Sequence, residues 1–348
     1  MPTWTWWTVW SVAIAIPVFC ALVYLAFTFF RRQYLPNVVR IFEERPLFII
    51  PRGNPDPSAE DVTFPSTDGL NLCGCFLPAR GEPRRGAILF GLEFGSTRWS
   101  AGPYCERLRD AGYDVFAYEP RNQGDSDGQS DYDPLQWVTD RDAADAQAAL
   151  EYLLSRPDSD GRVGVFGISK GGSAGLLAAA SHPAVACAVT DGAFATYTTM
   201  VPYMRRWISI YRPGTPSRNW VPDWFYGLVA MAAVREVAIK RRVRFPHVES
   251  VVKRFGRPLL MIHGGADTYI KPTMAHKLGS YAKTGTAEVW VVEKAKHNQA
   301  LHVAGEEYHR KLVEFFDEHL GGIAPPDSNP DLGPVPYPPL PEHAAVGK

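Results

Sequence analysis

Short β-rich runs alternate with helical stretches over most of this chain, and that alternation restricts its fold more than any other feature. Residues 62–64 and 70–77 read as an opening hairpin, turned at Asp68-Gly69. Further runs follow at 87–91, 114–118, 162–168, 184–190, 258–263 and 288–293. Most are continuously apolar, as strands of a parallel sheet buried on both faces must be, with helices supplying the crossovers. The clearest helix is expected to open with Asp133 as N-cap and Pro134 at its first position, and to run to about Ser155. The pattern predicts an α/β fold, a mostly parallel sheet flanked by helices, in two parts at residues 61–193 and 255–321. Between them, residues 194–254 break the rhythm, are rich in aromatic side chains, and read as an inserted helical cap.

The two ends differ from this middle. From Trp4 to Phe30 no side chain is charged, which is enough helix to cross a hydrocarbon layer of about 30 Å. Tryptophans crowd one end, where indoles favour the interface, and Arg31 and Arg32 close the other. A cleaved signal would carry its basic residues before a shorter apolar core. Residues 1–33 are therefore expected to be one uncleaved transmembrane anchor, followed by a linker at 34–60. Because Lys and Arg tend to stay cytoplasmic, Arg31, Arg32 and Arg40 predict a single-pass membrane protein with a cytoplasmic catalytic domain. Residues 322–348 hold eight prolines between Pro325 and Pro341, a density that excludes helix. That tail reads either as a bare disordered segment or as a ligand for a proline-reading partner.

Composition removes several functions. A formal net charge of -1 over 348 residues offers no global basic field for nucleic acid. The five cysteines have neither zinc nor redox spacing and read as buried or membrane thiols, so no metal and no cofactor is expected.

The chemistry is carried by Gly167-Ile168-Ser169-Lys170-Gly171, which follows a strand and opens a helix of small residues. A serine on so sharp a turn exposes its hydroxyl, the glycines let backbones approach, and the helix N-terminus offers N–H groups to a developing oxyanion. The hydroxyl needs a base, and the base needs an orienting carboxylate. Asp267 turns off the end of the strand 258–263 and His297 follows the strand 288–293, so both fall at the carboxyl edge of the sheet with Ser169. Asp191, at the end of the strand 184–190, competes with Asp267 for the role of acid. His263, His302 and His309 read as structural or solvent-facing.

Together these residues resemble the α/β-hydrolase superfamily, especially its Bem46-like and serine aminopeptidase-like branch, over roughly residues 61–320. The segments 64–72, 121–128, 262–267 and 295–298 look like that branch's opening hairpin, the loop after its fourth strand, its acid turn and its histidine turn. The resemblance implies hydrolysis of esters, thioesters or amides without a cofactor. It also implies backbone N–H donors for the oxyanion from Phe94 and Lys170. One departure stands out. Where the branch carries His-Gly, this chain has Leu92-Glu93, and Glu93 is expected to point outward or to pair with Arg98.

The expected function is a membrane-anchored serine hydrolase acting on carboxylic esters, lipid-like or thioester substrates included, through Ser169, His297 and Asp267. A peptidase or amidase on the same triad and a catalytically silent membrane scaffold are the alternatives. Aromatic cap residues such as Phe194, Tyr203, Trp207 and Trp224 suggest a pocket for an acyl chain, although they also suit a cap core. Nine basic residues between Arg205 and Arg244 face only Asp223 and Glu236, which suggests a cap laid on anionic lipid through Lys240, Arg241 and Arg242, or else a solvated charged face.

Overall fold

The structure is a computed structural model and describes residues 3–44, 53–211 and 221–322. The proline-rich tail beyond Gly322, and cap residues such as Trp220, lie outside the described residues.

Helix α1 (Thr3–Glu43) is continuous across Pro17 and Pro36 and long and apolar enough to cross a membrane. It runs on past Gln33 through residues expected to be linker. The reason is visible in its burial: Leu35, Val39 and Phe42, spaced i, i+4 and i+7, form one stripe packed into the cap. Polar linker would not gain that burial.

The sheet then builds in chain order. Strands β1 (Glu60–Pro65) and β2 (Asn71–Leu77) form the antiparallel hairpin, turned at Asp68-Gly69. Strands β3 (Gly86–Gly91), β4 (Tyr113–Tyr118), β5 (Val163–Ile168), β6 (Val185–Asp191), β7 (Leu259–Gly264) and β8 (Ala287–Val292) follow. Their order in the sheet is β1-β2-β4-β3-β5-β6-β7-β8, and every pair from β4 onward is parallel. Strands β3, β4, β5 and β7 are buried at every position, which explains their unbroken apolar sequences.

One face of the sheet is covered by α3 (Asp140–Ser155) and α4 (Lys170–Ser181), the other by α2 (Ala101–Asp110). The cap region holds α5 (Thr196–Tyr211) and α6 (Asp223–Arg241), whose buried residues cluster with α1. Helix α7 (Val248–Phe255) turns back to the sheet, and Val248 and Val252 join the core beside α4. Helices α8 (Pro272–Gly279), α9 (Ala300–Ala304) and α10 (Glu306–Phe316) complete the layers.

Helix α3 corrects the expectation of a start at Asp133-Pro134. It begins at Asp140, with Thr139 as N-cap and a capping box formed by Asp142. Residues 133–139 are instead held outside the helix by tertiary contacts. The Trp137 ring stacks on Phe42 at 4.7 Å, its indole N–H donates to the Phe42 carbonyl at 3.1 Å, and Asp133 meets Arg241. Burying that indole outweighs the local helix-start signal of Asp-Pro.

Candidate active site

Strand β5 ends at Ile168 and α4 begins at Lys170, leaving Ser169 alone on the corner with φ 52° and ψ −118°. That positive φ is a strained conformation for a residue with a Cβ. The corner is tight enough that a Cβ on Gly167 would come within 2.6 Å of the Gly172 Cα, so only glycine fits there. The Ser169 N–H donates to the Asp191 carbonyl at 2.7 Å, tying the corner to β6.

The acid and base turns are built against each other. Gly265 N–H donates to the Val292 carbonyl and Ala266 N–H to the Ala295 carbonyl, each at 2.8 Å. A Cβ on Gly264 would lie 2.5 Å from the Ala295 oxygen, so this approach requires glycine. The result carries Asp267 and His297 to the same point. Ser169 Oγ lies 2.9 Å from His297 Nε2, and His297 Nδ1 lies 2.6 Å from Asp267 Oδ2. A carboxylate only accepts, so Nδ1 carries the proton and Nε2 is left to accept from the serine. The other Asp267 oxygen accepts the Tyr269 and Ile270 N–H groups at 2.8 and 3.0 Å, which holds the carboxylate in place. All three side chains are buried. Such an arrangement can activate a hydroxyl for attack on a carbonyl.

The competing acid goes elsewhere. Asp191 is wholly buried and accepts from the Tyr308 hydroxyl at 2.9 Å, and burial pushes its carboxyl up to about 7. His263 donates Nε2–H to the Ile270 carbonyl at 2.6 Å, and burial lowers its basicity. His302 is exposed, and His309 is buried beside Glu106.

The expectation for Glu93 is overturned. The side chain is 1% exposed, and Arg98 is bound instead by Glu119, Asp61 and Asp125. Among the described residues its carboxylate oxygens find no hydrogen-bond partner at normal distance, and the Ser100 hydroxyl lends only weak support. Burial, with a smaller push from Asp191, raises this carboxyl to about 8. The neutral acid is therefore the favoured form of Glu93 near neutral pH. The physical reason is the company it keeps: Tyr104 and Leu92 belong to the apolar cluster on this face of the sheet, so burial opposes the charged form.

Lys170 opens α4, so its backbone N–H has no acceptor within the helix. Its side chain is not at the surface. The ammonium donates to the Leu135 carbonyl at 2.7 Å and pairs with Asp142 at 2.7 Å, both partners almost fully buried. Phe94 lies across from it, its ring centroid 5.1 Å from the Lys170 nitrogen.

A narrow cleft, part of it open to solvent, lies over Ser169 and His297. Its walls include Phe94, Trp137, Phe194, Tyr203, Tyr269 and Ile270, with Gln136 and Asn298 as polar members. Among the described residues the walls hold no charged carboxylate and no cation. Among the described residues, only Phe194 and Tyr203 come from the cap aromatics singled out in the sequence. Met200, Met204, Phe225 and Tyr226 are buried in the cap's own cluster, and Trp224 faces outward. Gln136 and Trp137 sit in the stretch that reads locally as helix start, which hid them.

Comparison with known proteins gives consistent likenesses. The family described as X-Pro dipeptidyl-peptidase (S15 family) matches residues 70–233, which contain Ser169 but end before Asp267 and His297. The uncharacterized protein YfhR of Escherichia coli (strain K12) is 25% identical over 273 residues, covering 75% of this chain and 82% of that protein. The serine hydrolase BPHL of Homo sapiens is 23% identical over 284 residues, covering 78% of this chain and 92% of that one. The solved esterase Pf2001 of Pyrococcus furiosus has a TM-score of 0.58 at 22% identity and covers 80% of this chain and 100% of its own.

Proposed function

We propose that this chain, a serine hydrolase with the α/β-hydrolase fold, cleaves neutral carboxylic esters with an apolar acyl group while anchored in a membrane by α1. The reading is carried by one observation: the hydrogen-bonded series from Ser169 through His297 to Asp267 opens into a cleft with apolar walls and, among the described residues, no charged side chain beyond the series itself. His297 takes the Ser169 proton as Oγ attacks the ester carbonyl. The N–H groups of Phe94 and Lys170 receive the oxyanion, and His297 then protonates the departing alcohol. Water repeats the cycle on the acyl-enzyme. Neutral Glu93 lets this proceed near pH 7, because no negative charge then opposes the oxyanion. Arg31, Arg32 and Arg40 favour a cytoplasmic catalytic domain.

A peptidase on the same residues is favoured by the S15 family match alone. A free substrate amino group calls for a carboxylate in the pocket, and the described cleft walls supply none. The deciding experiment treats purified protein with a fluorophosphonate probe, then with p-nitrophenyl esters of rising chain length and with aminoacyl amides. Labelling lost in Ser169→Ala, with ester turnover far above amide turnover, is the expected outcome. Absence of labelling would point to a silent scaffold, and amide turnover in excess would point to the peptidase.

A further inference from the structure

Helices α1 and α6 run side by side in the same direction. At one end the rings of Phe30 and Phe225 meet edge to face at 5.3 Å. At the other end Glu43 binds both Lys240 and Arg241 at 2.7 Å. The interval from Phe30 to Glu43 is 13 residues, and that from Phe225 to Lys240 is 15, so the pair works as a ruler of about 20 Å. A hydrocarbon layer of about 30 Å takes about 20 helical residues, which, with the tryptophans up to Trp10 at the far interface, end near Phe29 and leave Phe30 at the near edge. Ala26, Phe27 and Phe30 are half-buried against the cap, so the cap reaches down to that edge.

At this same end α6 presents an apolar stripe outward. Trp224, Leu228 and Met231, spaced i, i+4 and i+7, are 52%, 44% and 51% exposed. Trp224 stands level with Phe30, and Leu228 and Met231 step outward by about 6 and 10 Å at the helical rise. Exposed Arg31 and Arg32 follow Phe30 at this level, and the nearby Asp223 is already neutralised by Arg205 at 2.6 Å. Tryptophan and arginine side by side suit the boundary between acyl chains and phosphates. Lys240 and Arg241, by contrast, lie at the far end of the ruler with Glu43 answering their charge. They are badly placed to touch lipid, against the expectation from sequence.

On the reading of α1 as a membrane anchor, we infer that the cap is seated on the bilayer by the Trp224–Leu228–Met231 face of α6, with the lipid headgroup layer as its occupant. The cap then stands upright from the membrane. The Lys240 end points into water, and Phe42 with its stacked partner Trp137 is held near that upper end. The wall of the cleft is therefore reached from the aqueous side, and an ester substrate leaves the bilayer to meet Ser169.

The test uses the full chain in vesicles of phosphatidylcholine and phosphatidylglycerol, in a background with Cys20→Ser and Cys73→Ser, since the other cysteines are buried. A single nitroxide is attached at Val18→Cys, Trp224→Cys, Leu228→Cys or Arg242→Cys. Collision with oxygen and with a water-soluble nickel chelate is measured for each, and turnover of a soluble ester checks the fold. Nickel accessibility at 224 and 228 is expected to be several-fold lower than at 242, with Val18 deep in hydrocarbon. Equal nickel accessibility at 224, 228 and 242, with Val18 still in hydrocarbon, overturns the seating and spares the anchor. A water-exposed Val18 overturns both.

Discussion

Among the carboxyl groups buried near the carboxyl edge of the sheet, four form two contrasting pairs. Asp267 and Asp142 have full sets of partners: His297 and two backbone N–H groups for the first, Lys170 and the Thr139 cap for the second. Asp191 has one tyrosine hydroxyl, and Glu93 has almost nothing. Burial is similar for all four, so depth alone does not decide their state. Hydrogen bonds and opposite charges favour the charged form, and their absence leaves desolvation to win. Within one small region the fold thus gives one carboxylate the partners that hold a histidine and leaves another acid to have its ionisation opposed by burial.

The strongest way to break this contrast is to replace the acids by amides. Asp267→Asn should lower kcat by about ten-thousandfold, because the imidazole loses the partner that fixes its tautomer. Ser169→Ala and His297→Ala should do no less, and the losses should not add. Steady-state kinetics on a p-nitrophenyl ester reads this, and a near-normal rate for Asp267→Asn would remove the triad assignment. Next in size is Asp142→Asn. It strands the buried Lys170 ammonium and should destabilise the domain by about 3–5 kcal/mol in chemical denaturation. A loss below about 1 kcal/mol would mean that water reaches the lysine.

Glu93→Gln should act in the opposite sense. The Glu93 carboxyl is raised in the folded state from its ordinary value of 4.5 to about 8. The folded protein therefore holds a proton that the unfolded chain releases, and stability falls as pH rises between those values. Glu93→Gln should leave stability almost unchanged at pH 4 and raise it by a few kcal/mol relative to the native chain at pH 8 and above, measured as denaturation midpoints across pH. Activity gives a second reading. Above about pH 8 ionised Glu93 opposes the oxyanion, so kcat should fall in the native chain and hold in Glu93→Gln. Parallel alkaline limbs in the two proteins would show that Glu93 does not face the reaction. Smallest of all, Asp191→Asn should leave kcat within about an order of magnitude, since Tyr308 and not His297 holds its carboxyl.

Much of the scaffold is legible in the amino-acid sequence, because local and global signals agree there. The runs at 87–91, 114–118, 162–168 and 258–263 coincide with β3, β4, β5 and β7 to within a residue at either end. Ser169 is legible because its turn demands glycines at fixed positions, and His297 and Asp267 because a base and an acid must reach the same edge. Where sequence and structure part, distant residues outvote local ones. Asp133-Pro134 is a sound helix start on its own, yet the Thr139 capping box prevails once Trp137 is buried on Phe42, 95 residues away in the chain. The Thr139–Asp142 spacing is itself a helix-start signal, so the competition between the two starts is written in the sequence even though its outcome is not.

The chain's own chemistry determined the apolar first helix, the parallel sheet and the identity of a serine, an acid and a histidine able to meet, since each is enforced by period, turn residue type or chain order. Only the tertiary structure decided what the charged groups do. A glutamate five residues from an arginine reads as half an ion pair, but Arg98 is claimed by three other acids and Glu93 is left in an apolar pocket that holds it neutral. A cluster of cationic residues at the end of α6 reads as a lipid contact, but two of them are turned to Glu43. Charge and protonation follow from which groups lie within a few ångströms and how much water remains, and those distances exist only in the folded chain.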